Sequence, residues 1–193
     1  MRHWLLVGLL TTFLAGTALS ALPAGASTLA GVTFPNKVDV DGHALVLNGL
    51  GLRTKLWFKI YVGGLYLPQK SHSPAEILKA DEPREMISHF LWDVSKGQVC
   101  TAFLDGLKDN VPNAPPDVHK NFTQLCNWME PLSSGSSMRL IYVPGEGTRV
   151  EVNGQVKGTL PGKATADAML AAWIGPDPGP GSAKFKTGLL GGD

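Results

Sequence analysis

"LNGLGLRTKLWFKIYVGGLYL", Leu47 to Leu67, decides how the rest of the chain is read. From Leu52 the residues alternate. Leu52, Leu56, Phe58, Ile60 and Val62 share one face, with Thr54 among them, while Arg53, Lys55, Trp57, Lys59 and Tyr61 share the other. A period of two predicts a strand with two unlike faces. The even-numbered face is expected in the core. The odd-numbered face, aromatic and cationic, either meets solvent or lines an amphipathic cleft. Gly49 and Gly51 interrupt the run and predict a bulge or a close backbone approach. No acid lies between Asp41 and Glu76. The cations are therefore either solvated together, or one of them meets an anion from outside the protein.

Working outward, short strands are expected at Val32–Phe34, Lys37–Val40 and Ala44–Leu50, with a reversal at Asp41-Gly42. Ser73, Pro74 and Glu76 have the order of a helix N-terminus: cap, first position, acidic first turn. Glu85 to Val94 reads as a strand covered on both sides. Ser95 is placed to cap a helix ending near Asn110, with Val99, Phe103 and Leu107 forming one apolar stripe. A proline-rich connection, 111–116, leads to a second helix, capped by Asp117 and carrying Val118, Phe122, Leu125 and Met129. Ser136–Val143, Thr148–Val152 and Gln155–Leu160 follow as strands, the last two joined by the hairpin signal Asn153-Gly154. Lys163 to Ile174 is a third amphipathic helix, and Ser182 to Leu190 a last short helical turn. Antiparallel strands with clustered helices predict an α+β domain with helices on one face of the sheet.

The N-terminus is read apart from this fold. A short polar start, the apolar run from Trp4 to Leu22 and the small-residue site Ala24-Gly25-Ala26 form the three-part pattern of a secretory signal peptide. An uncleaved membrane anchor is the alternative, since the run is about long enough to span a bilayer. Residues 1–26 are assigned as signal peptide and 27–193 as one domain, with Ser27 as the mature start and Ala21 as the other candidate. The mature protein is then exported, to a periplasm or the extracellular space, with no stable membrane anchor after cleavage. A formal net charge of +1 over 193 residues, without blocks of like charge, argues against nucleic acid or an anionic membrane as a partner steered by overall charge.

Cys100 and Cys126 are the two cysteines, and their spacing fits no zinc or CxxC motif. They are equidistant from the middle of the connection between the two helices, so an antiparallel helical hairpin places them level. That favours a disulfide over two buried thiols. His43, His72, His89 and His119 are scattered and not at metal-ligand spacing, so neither a metal nor another cofactor is expected. There is no GxSxG, GxGxxG or phosphate loop. Asn121-Phe122-Thr123 fits a glycosylation sequon, but inside a predicted helix.

Several segments together resemble the chalcone isomerase-like family: "GVTFP" (Gly31 to Pro35), the Leu47–Leu67 stretch with its Gly-x-Arg and its Gly64-Leu65-Tyr66-Leu67 ending, the helical pair, and "ADAMLAAWIGPDPGPGSAKFKTGLLG" (Ala166 to Gly191). The resemblance implies an open-faced β-sandwich, an antiparallel sheet with a layer of helices on one face. It implies two kinds of function. Enzymes of the family close a chalcone into a flavanone, whereas non-catalytic members bind fatty acids or assist other enzymes. The arginine resembling Arg53 orients a phenolate in the former and holds a carboxylate in the latter.

The enzymes' remaining site residues carry over poorly. Their strand threonine aligns with Tyr61, their helix tyrosine near Val99 and their helix asparagine near Gly106, and neither Val nor Gly has a hydrogen-bonding side chain. No catalytic residue is therefore assigned. The expected function is non-catalytic binding of an amphipathic carboxylate such as a fatty acid, with Arg53 at the head group, Tyr61 adding a hydroxyl, and Val99 and Phe103 along the tail. An intramolecular lyase acting on an enone, and a structural or partner-binding protein without ligand, are the alternatives.

Overall fold

The computed structural model describes residues 25–177 and 182–192. The predicted signal peptide lies outside the described residues, except for Gly25 and Ala26. These two belong to the fold: the Gly25 carbonyl accepts from the Asn36 amide at 2.8 Å, and Ala26 pairs with Pro35.

Strands β1 (Ala26–Leu29) and β2 (Val32–Pro35) form a two-stranded sheet. The main sheet is an antiparallel meander of β3 (Lys37–Val40), β4 (His43–Lys55), β5 (Phe58–Leu67), β6 (Arg84–Phe90), β7 (Ser137–Val143), β8 (Gly147–Val152) and β9 (Gln155–Leu160), each strand beside its sequence neighbour. Asp41-Gly42 and Asn153-Gly154 make the predicted two-residue reversals. Both residues of each turn have positive φ (51° and 83°; 52° and 75°), the twist that matches paired strands.

The helices are α1 (Pro74–Lys79), α2 (Lys96–Asn110), α3 (Pro116–Trp128), α4 (Lys163–Ile174) and α5 (Ala183–Leu189). The caps explain where two of them begin. Ser73 accepts from the Glu76 amide, and Ser95 and Gln98 form a reciprocal capping box. The second long helix starts two residues earlier than expected: Pro115, not Asp117, is at its cap position, and Asp117 lies in its first turn. Among the described residues no helix is long and apolar enough to cross a membrane. Asn121 of the sequon is buried in α3, with its amide donating to the Pro161 carbonyl and the Thr165 hydroxyl, so its nitrogen is engaged in the fold.

The sheet has a core on each face. Leu65, Met86, Phe90, Met138, Leu140 and Val150 meet Phe103, Phe122, Leu125, Met169 and Trp173 from the helices. On the other face Val62, Tyr66, Ile141 and Val143 pack with Phe34, Val40, Leu45 and Leu47. The sheet curls around this second core. Arg149 of β8 consequently reaches Asp41 in the β3–β4 turn at 2.6 Å, although the strand order separates them widely. Arg139 of β7 adds a half-buried ladder across β6, β7 and β8, clamping Glu85 through two nitrogens (2.6 and 3.1 Å) and Glu151 through a third (2.8 Å). Its guanidinium pKa is raised, chiefly by the Glu85 hydrogen bond.

The stretch that opened the reading is a hairpin, not one strand. It turns at Leu56-Trp57, which are 78% and 79% exposed, so Leu56 is not a core residue. Leu52 and Val62 do face the second core, whereas Phe58 and Ile60 line a cavity on the helix side. Glu85–Val94 is likewise shorter as a strand, ending at Phe90, with Trp92 exposed.

The glycines of the hairpin act by close approach. A Cβ on Gly49 would lie 2.1 Å from the Gly188 carbonyl oxygen, and one on Gly51 2.5 Å from that of Phe185. Helix α5 can lie against β4 only because both positions lack side chains. A bulge between Leu47 and Gly49 accompanies this contact. Helices α2 and α3 are joined by a disulfide between Cys100 and Cys126, with Cα atoms 5.2 Å apart. That lies within the range a disulfide can span.

Candidate ligand cavity

A cavity of about 1110 Å³ lies between the β4–β5–β6 end of the sheet and helices α2 and α4. Phe58, Ile60, Phe90, Val99, Phe103, Met138 and Trp173 give it apolar walls. Its volume is at or above the upper end of ordinary ligand sites, ~300–1,000 Å³. Arg53, Tyr61, Val99 and Phe103, the four residues selected from the sequence, all line it.

The strands set the polar end. Lys55 pairs with Phe58 and Thr54 with Lys59, but Arg53 pairs with Tyr61, so Ile60 is an extra residue without a partner on β4. Without that bulge, Tyr61 would sit off register from Arg53. With it, the two are direct cross-strand neighbours at the cavity wall. Arg53 donates from Nη1 to the Thr54 carbonyl at 3.3 Å, one of the contacts it makes.

Tyr61 is held from several sides. Phe90 and Phe185 pack against its ring, each with centroids 5.3 Å away, and the Trp173 indole N–H donates to its hydroxyl at 2.9 Å. Trp173 in turn meets Phe103 edge-on at 5.5 Å. Burial pushes the Tyr61 phenol pKa up, against smaller opposing effects from the Trp173 hydrogen bond and the Arg53 charge. The phenol therefore stays protonated at neutral pH. Its oxygen accepts from Trp173, which leaves its own O–H to donate. Acidic side chains also reach the cavity, Asp93 from the β6–α2 connection and Asp105 and Asp109 from α2. Asp93 accepts from the Ser134 amide at 2.8 Å.

A profile of chalcone isomerase-like proteins matches residues 26–191. The chain belongs to the chalcone isomerase-like family. Among solved structures, the fold is similar to that of a fatty-acid binding protein from Arabidopsis thaliana, with a TM-score of 0.67 and 15% sequence identity, covering 86% of this chain and 95% of that one. Among curated protein sequences, none matches. At that identity the likeness concerns the fold: a curled antiparallel sheet with helices on one face.

Val99 and Gly106 both line the cavity, and neither presents a hydrogen-bonding side chain there. Gly106 serves packing, since a Cβ would lie 2.6 Å from that of Ala172 on α4. Among the described residues no cluster of His, Cys, Asp and Glu could hold a metal ion. Trp173 is a site residue that the sequence covers only as part of the third amphipathic helix. Its one advance signal is chemical: an indole on a buried helix face needs an acceptor for its N–H.

Proposed function

We propose that this protein binds an amphipathic carboxylate, such as a fatty acid, in the cavity and does not transform it. The pairing of Arg53 with Tyr61 carries the reading. An arginine fork has five N–H donors and binds a carboxylate in two-point fashion. Arg53 and Tyr61 both line the cavity, so the guanidinium and the phenol O–H lie on the same wall. The ligand's head group would sit at this pair, and its tail along Val99, Phe103 and the aromatic walls. The fatty-acid binding activity named for the Arabidopsis neighbour supports the assignment. The lack of hydrogen-bonding side chains at Val99 and Gly106 supports binding without catalysis.

The proposed setting is outside the cytoplasm, after removal of the N-terminal leader. The Cys100–Cys126 disulfide suits an oxidising compartment. Native mass spectrometry of protein purified from the exported fraction tests the ligand assignment. The expected result is a mass increment that denaturation releases as a fatty acid. An empty protein that also fails to take up added fatty acid contradicts it, and chalcone cyclisation above background would replace it with the isomerase reading.

A further inference from the structure

The tip of the β4–β5 hairpin is built at odds with hairpin economy. Its first turn residue, Leu56, has a φ of 56°, a left-handed conformation that favours Gly or Asn at such positions. Trp57 follows, and the two side chains are 78% and 79% exposed. Trp92, 49% exposed, joins them through Phe58, whose ring centroid lies 4.5 Å from that of Trp92 and 5.6 Å from that of Trp57. Lys55 and Lys59, both exposed, flank the tip. Asp93, next to Trp92, accepts from the Ser134 amide, and Asp105 and Asp109 of α2 also line the cavity. Lys55, Leu56, Phe58 and Trp92 also line the cavity, so the patch borders the cavity's opening.

We infer that this tip docks on the surface of an anionic lipid bilayer. Tryptophan rings prefer the level of the lipid head groups. Leucine gains by leaving water for the acyl boundary, and lysines beside them meet the negative surface charge. No single one of these features points to a bilayer; their coincidence at the hairpin tip and the adjoining Trp92 does. Hairpin stability does not explain Leu56 and Trp57, because a turn rich in Gly and Asn would be cheaper. Docking in this orientation brings the cavity opening to the lipid surface, where an amphipathic ligand can pass without crossing water. The inference goes beyond the ligand reading and does not depend on it, since bilayer attachment can be measured whether or not the cavity is filled.

Co-sedimentation with vesicles of phosphatidylcholine, with and without phosphatidylglycerol, tests the docking. The protein should partition onto the anionic vesicles, more weakly onto the neutral ones, and come off at high salt. Replacing the tip by Leu56→Ser with Trp57→Ala should weaken partitioning at least ~10-fold, as expected for losing two apolar side chains from the interface. Lys55→Gln with Lys59→Gln should remove the preference for phosphatidylglycerol while the circular dichroism spectrum stays unchanged. Absence of partitioning onto either vesicle overturns the inference and leaves the patch to a protein partner. Partitioning unaffected by the tip substitutions overturns it equally.

Discussion

Arg53 and Tyr61 are register partners across the β4–β5 hairpin, and the extra residue Ile60 makes them so. The two-residue turn alone pairs odd positions with even ones, as in Lys55 with Phe58. The bulge shifts the register by one and brings the guanidinium strand position level with the phenol. Trp173 then fixes the phenol from the helix layer. Two sheet residues and one helix residue thus join the wall of the cavity to its roof.

That connection predicts a stability effect from a nearly isosteric change. Tyr61→Phe removes the acceptor of the Trp173 indole N–H, and Trp173 is only 8% exposed. A buried donor left without a partner costs ~1–3 kcal/mol. Denaturant unfolding of ligand-free protein should show a loss of this size. An unchanged midpoint would mean that the indole finds another acceptor.

Helix α2 offers two glycines with opposite expectations. Gly97 is exposed, and a Cβ there meets nothing closer than the Ser95 hydroxyl at 4.0 Å. Gly97→Ala should stabilise by ~0.5 kcal/mol through the lower freedom of the unfolded chain. Gly106→Ala would bring two methyl groups to 2.6 Å at the α2–α4 crossing, so it should destabilise by ~1–3 kcal/mol. Thermal melts of the two variants should move in opposite directions. A stabilising Gly106→Ala would mean that the two helices separate freely.

The disulfide between Cys100 and Cys126 spans a sequence separation of 26 residues. Closing a loop of that length should contribute ~3 kcal/mol by restricting the unfolded chain. Thiol titration of denatured, unreduced protein from an oxidising compartment should find no free thiol, and reduction should lower the melting temperature. Two reactive thiols, or a melt indifferent to reductant, would contradict this.

Much of the fold was legible because local signals and global architecture agree. Ser95 with Gln98, Asn153-Gly154 and the Val99–Phe103–Leu107 stripe each announce their element and keep it. The level placement of Cys100 and Cys126 followed from the helical hairpin alone. The β4–β5 turn was not legible, because Leu56-Trp57 carries no turn residue and continues the alternation on both sides. Arg53 and Tyr61 nevertheless stayed on one face, since the bulge at Ile60 restores the parity that the turn reverses. The bond from Trp173 to Tyr61 could not be read, because it depends on how α4 lies over the sheet. Strand β1 was hidden for another reason: its first residue, Ala26, is also the last of the small-residue site assigned to the leader.

The affinity of Arg53 for a carboxylate is measured most directly by calorimetric titration of delipidated protein with a long-chain fatty acid. The wild-type protein should bind at one site. Arg53→Ala should bind ~10–100-fold more weakly, the loss expected for a hydrogen bond to a charged group, while its circular dichroism spectrum stays that of the wild type. Equal affinity in the two proteins, or no binding by the wild type, would contradict the account.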